Sequence, residues 1–211
     1  MKSAPPQRRF DLICLGRAAV DLYGEQIGGR LEDMQTFSKY LGGSPANTAV
    51  GLARLGLAPA MLTRVGDEHN GRFVREALEA EGVDVSHVKT DPRRLTALVF
   101  LGIQDRETFP LVFYRDHCAD MAVSADDFDS AFIASATALL LSGTHLSQPQ
   151  TYKTCRAAID CTARGVPVIA ITAARCPRWS RRPGCASGSL TIRRSHFVRW
   201  SRRCALRRRW S

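Results

Sequence analysis

The acidic residues of this 211-residue chain stop at Asp160, and that boundary sets how much of it can build a core. Between Ala173 and Ser211 there are twelve Arg and no Lys, Asp or Glu. All three Trp and three of the seven Cys fall in the same stretch. Removing those twelve Arg from the thirty basic residues leaves eighteen, against twenty acidic ones, in residues 1–172. The body is therefore slightly acidic, and the formal charge of +10 belongs to the tail. Guanidinium groups without counter-charges cannot be buried. Folding is expected of one domain over residues 10–172, preceded by an extension at 1–9 and followed by an Arg-rich, disordered tail at 173–211.

Composition excludes several classes. A hydrophobic fraction of 45% is ordinary for a globular chain. The start, MKSAPPQRRF, is charged and Pro-rich, and the apolar stretch after it is too short for a secretory signal. The longest apolar-leaning run, Ala131 to Leu141, falls well short of the roughly 20 residues that cross a bilayer. Cys14, Cys118, Cys155 and Cys161 show no paired spacing, so reduced thiols in a cytoplasmic protein are expected.

Along the body, strand and helix patterns alternate. FDLICL at 10–15 reads as a buried strand, with Asp21 in a following loop near Gly24, Gly28 and Gly29. Residues 34–41 read as an exposed strand. Ala46, Ala49, Val50 and Ala53 recur at helical spacing, with Ser44 as cap, Pro45 in the first turn and Gly56 at the end. A strand over 60–65 follows, then a helix capped by Asp67 and closed by Gly82. Thr96–Ile103 and Phe109–Tyr114 read as a hairpin joined by a polar turn. Helix 126–134, strand 138–142, helix 150–164 and strand 166–171 resume the alternation. The pattern is α/β with a parallel sheet and a small β-flap.

The segment from Gly42 to Gly66 carries the chemical signal. Gly42 and Gly43 permit close backbone approach to a ligand. The helix beginning at Pro45 points unpaired N–H groups at the same place, and Asn47 offers both donor and acceptor. Asp21 lies past a strand end, where open α/β sheets collect ligands. Together these suit a hydroxyl-rich, anionic molecule; spacing alone fits an ordinary turn and helix as well. No G-x-x-x-x-G-K-[ST] phosphate loop and no G-x-S-x-G elbow occurs.

GGSPANTAVGLARLG followed by Gly66 resembles the first signature of the ribokinase-like (PfkB-type) sugar kinases, through Gly42, Gly43, Pro45, Asn47, Ala49, Gly56 and Gly66. DRETFPLVFYRDHCADMAV, at 105–123, is similar to the 5-dehydro-2-deoxygluconokinases of inositol breakdown. The resemblance covers about Phe10 to Ile171. It implies a ribokinase-like sheet with a lid, ATP and Mg²⁺ as cofactors, a small sugar acid as substrate, and pairing of two copies through the lid. It also implies sugar binding by Asp21, Gly42, Gly43 and Asn47, and a Tyr114–Arg115 pair with Arg115 near a substrate carboxylate. Arg106 reads instead as a turn residue and His145 as structural, and His117 and Cys118 lack the spaced partners of metal ligands.

The family's Gly-x-Gly-Asp segment, which carries the phosphoryl-transfer groups, is absent from the chain. The resemblance breaks at Ile171, and the residues beyond it read like a GC-rich gene out of frame. A C-terminally truncated kinase domain, inactive by itself, is therefore expected. Another family member, such as a 2-keto-3-deoxygluconate kinase or fructokinase, stays open as an alternative. So does a basic product that binds nucleic acid through the tail, although neither nucleic acid nor membrane is the expected partner. Cys176, Cys185, His196 and Cys204 match no compact zinc pattern.

Overall fold

The computed structural model describes residues 8–162 and 166–171. Expectations that concern the Arg-rich tail lie outside the described residues. Two sheets organise the chain. The larger is entirely parallel, with strand order β5-β4-β1-β8-β9: β1 is Phe10–Leu15, β4 Pro59–Gly66, β5 Asp84–Asp91, β8 Ala136–Ser142 and β9 Val168–Ile171. The smaller is mixed and runs β3-β2-β6-β7, with β2 Ala19–Gly24, β3 Phe37–Gly42, β6 Leu98–Leu101 and β7 Leu111–Tyr114.

Helices cover both faces of the parallel sheet, which is why its inner strands read as continuous apolar runs. On one face, Leu12, Cys14, Met61 and Leu140 pack with Ala46 and Ala49 of α1 (Ser44–Arg54) and Val74 and Leu78 of α2 (His69–Ala80). On the other, Ile13, Leu15, Leu62 and Leu139 pack with Phe132 and Ile133 of α3 (Ser130–Ala134) and Cys155 and Ala158 of α4 (Pro149–Cys161).

The structure departs from the sequence reading at several points, among them the helix expected over 126–134, which is a 3₁₀ turn at Ala125–Asp127 followed by the short helix Ser130–Ala134. Asp21 is not in a loop; it is inside β2, paired with Tyr40 and Val99. The cap of α1 is Gly43 rather than Ser44. The cap of α2 is Glu68 rather than Asp67, and its carboxylate accepts from the N–H groups of Asn70 and Gly71. Strand β5 lies in a stretch left without an element. It lies at one end of its sheet, and polar Asp84, Ser86, His87, Lys89 and Thr90 hide the β pattern. The expected hairpin is present as β6 and β7, closed by Gly102 N–H to the Pro110 carbonyl at 2.9 Å.

Candidate functional site

Gly16, Arg17 and Ala18 carry the chain from the end of β1 into β2, so Arg17 stands where the two sheets meet, at the C-terminal end of the parallel one. Register then decides which lid residues share a face. Tyr40, Asp21, Val99 and Phe113 form one row across the four strands, and Leu41, Val20, Leu98 and Tyr114 form the next. Alternation turns the two rows to opposite sides. On the side of Asp21, the side chains of Tyr23, Ser38 and Tyr40 line an open cleft of about 640 Å³, to which α1 adds Asn47.

Two glycines make this approach possible. A Cβ at Gly42 would land on the Asp21 carboxylate. Gly43 has φ of 102°, and a Cβ there would strike the backbone carbonyl of Arg17. The start of α1 can therefore close down on residues 17–21. Asp21 Oδ1 is buried with no hydrogen-bond partner. Burial pushes its carboxyl above the usual range, and the charge of Arg17 pulls it partly back.

A second group of charges stands beside Arg17. Arg115 donates to Asp120 Oδ2 from Nε at 2.8 Å and from a terminal nitrogen at 2.6 Å. That terminal nitrogen also lies 3.4 Å from His145 Nδ1. Asp120 and His145 are fully buried. Burial, reinforced by Arg115 and Arg17, presses the His145 pKa down to about 3, so its imidazole is neutral. Burial pushes the Asp120 carboxyl up, against the pull of Arg115. Arg17 has its pKa lowered, first by burial and then by the neighbouring charge of Arg115. Its guanidinium lies over the Phe113 ring, 5.1 Å from the centroid, and its Nε is buried without a partner.

The structure thus brings Asp21, Gly42, Gly43 and Asn47 together as the sequence suggested, and it places Arg115 with Asp120 and His145 rather than among the residues that line the cleft. It does not bring Tyr114 to this cleft. Tyr114 faces the other way, with its ring 5.6 Å from Phe100. Sequence reasoning passed over Arg17, Asp120 and Tyr40. For Arg17 the signal was available, since it follows a strand-ending glycine on the first strand of a parallel sheet. His145 is buried as a structural histidine would be, yet it belongs to the charged group. Arg106 is exposed at the hairpin turn. Cys14 and Cys155 are free thiols that burial pushes up to about 12, which removes them as nucleophiles. Among the described residues no cluster of His, Cys, Asp and Glu is arranged to hold a metal, and no helix is long and apolar enough to cross a membrane.

A family model described as the pfkB family of carbohydrate kinases matches residues 9–189. The chain belongs to that family. The match runs past Ile171, where the sequence resemblance ended. Among curated pfkB relatives, the 5-dehydro-2-deoxygluconokinase of Geobacillus kaustophilus is 38% identical over 164 residues, covering 77% of this chain and 49% of that protein. A crystal structure of a PfkB protein from Polaromonas superposes with a TM-score of 0.73 at 32% identity, covering 79% of this chain and 56% of that one. A sugar kinase from Pyrococcus horikoshii, solved in complex with ATP, gives 0.73 at 24% identity, covering 81% and 55%. The two sheets and their helices are the ribokinase-like fold of these neighbours. The chain spans about half the length of the relatives it matches.

Proposed function

We propose that the described residues form the sugar-acid half of a pfkB kinase site, with 5-dehydro-2-deoxygluconate as the acceptor and ATP, assisted by Mg²⁺, as the phosphoryl donor. The observation that carries this reading is Asp21. A carboxylate left unpartnered and desolvated against a glycine, in a cleft shared with an amide, is set to accept hydrogen bonds from sugar hydroxyls. Gly42 and Gly43 bring backbone close to the sugar, Asn47 reads a second hydroxyl, and Arg115 adds positive charge beside them. Tyr114, on the far side, serves the lid rather than the sugar.

No transfer step is assigned to the described residues. The sequence holds no Gly-x-Gly-Asp, and the described residues hold no metal cluster. Leu111, Val112, Phe113 and Tyr114 are all exposed on β7. This apolar strand supports the pairing of two copies through their lids. The four free cysteines among the described residues suit a reducing, cytoplasmic setting.

The test is calorimetric titration of the 211-residue chain with 5-dehydro-2-deoxygluconate. Saturable binding that disappears in Asp21→Ala, with no ADP released when ATP is added, is the expected result. Binding that survives the substitution, or a preference for fructose, would transfer the reading to another kinase of the family.

A further inference from the structure

We infer that Arg17 is the residue that recognises the carboxylate of the sugar acid. This rests on the sugar-acid reading and adds to it the group that tells an acid from a neutral sugar. The charge of Arg17 acts on the Asp21 carboxylate that lines the cleft, Arg115 stands beside Arg17, and the two guanidinium groups differ in what already occupies them. Arg115 spends Nε and one terminal nitrogen on a single oxygen of Asp120, a carboxylate only 1% exposed. An incoming carboxylate would have to displace a buried partner, at the cost of leaving that partner unpaired. Arg17 has no such partner. It donates no hydrogen bond to any described residue, and its Nε is buried and unsatisfied.

Arg17 is nevertheless held in place. Its carbonyl abuts Gly43, and its guanidinium rests on the Phe113 ring, on the same lid face as Asp21. Such pre-organisation lowers the ordering cost of a planar, two-pronged contact with a carboxylate. The surrounding charges leave room for one more anion. Asp120 is matched by Arg115, His145 is neutral, and Arg17 is balanced only at a distance by Asp21 and Asp120. A sugar acid lying along the cleft would meet Asp21 with its hydroxyls and Arg17 with its carboxylate, opposite charges at opposite ends.

The experiment titrates the full chain with 5-dehydro-2-deoxygluconate and with its neutral methyl ester, comparing wild type, Arg17→Met and Asp21→Ala. Losing a charge-assisted contact weakens binding roughly tenfold to a hundredfold. Arg17→Met should lose that much for the acid and leave the ester unchanged, while Asp21→Ala should weaken both. If Arg17→Met binds the acid within about twofold of wild type while Asp21→Ala does not, the assignment of Arg17 is wrong and the sugar-acid reading stands. Equal losses for acid and ester would make Arg17 a structural residue and likewise overturn the assignment. If wild type binds neither compound, the reading falls and takes Arg17 with it. Should Arg17→Met fail to fold, ¹⁵N-arginine spectra of the wild-type chain decide, with Arg17→Lys to assign the signal. The Arg17 Nε resonance should move with the acid and not with the ester, and a stationary signal would refute the inference.

Discussion

The parallel sheet and the lid treat their side chains in opposite ways. In the first, Ile13, Leu15, Leu62 and Leu139 on one face and Cys14 and Met61 on the other are completely buried beneath helices. In the second, all four residues of β7 are exposed, and β2 carries a carboxylate in mid-strand. The scaffold gains its stability from apolar area, whereas the lid keeps polar and aromatic groups available. The pair Arg115 and Arg17 repeats the contrast in miniature. One guanidinium is consumed in holding the chain together, and the other is left free to bind.

The largest effects should come from the consumed groups. Arg115→Met strands Asp120 without its partner and should cost about 3–5 kcal/mol in urea unfolding. Arg17→Met should cost far less, and comparable losses would erase the distinction between the two arginines. Leu62→Ala in the parallel sheet should cost about 2–5 kcal/mol by the same measurement. A much smaller loss would show that the sheet is not the scaffold.

Acid should act through His145. Its pKa in the fold, about 3, lies below the ordinary 6.5. The stability this contributes is complete above pH 6.5 and is lost as pH falls toward 3, by an amount on the order of a few kcal/mol. In His145→Gln that part of the pH dependence should be missing from the urea midpoints. Asp21 has the opposite sign. Its pKa in the fold is raised above 3.8, so its contribution is present below that value and lost as pH rises. At neutral pH, Asp21→Asn should therefore melt slightly higher than wild type while binding no sugar acid, and the gap should close toward pH 4. A lower melting temperature would mean that Asp21 supports the fold rather than the ligand. The smallest effect belongs to the lid surface. Val112→Asp should change monomer stability by less than about 0.5 kcal/mol. Its effect should appear in sedimentation, as a shift of a dimer toward monomer.

The sequence made the scaffold legible because burial on both faces writes itself as apolar runs, as in FDLICL and the strand at 138–142. It hid β5, whose position at one end of the sheet lets polar residues interrupt the pattern. It also misplaced Asp21, since an acidic residue among glycines looks like a loop until Tyr40 and Val99 pair with it. Gly42, Gly43 and Asn47 were readable from one contiguous segment. The grouping of Arg17 with Arg115, Asp120 and His145 was not, because it joins three separate stretches, at 17, 115–120 and 145, that meet only in the fold.

The contact between Gly42 and Asp21 limits how this molecule can diversify. Any side chain at position 42 takes the space of the carboxylate, so a change there displaces Asp21 before it adds a contact of its own. New ligand preferences would have to arise at the periphery of the cleft, through residues such as Ser38, Tyr40 and Ile103, around an anchor that stays fixed.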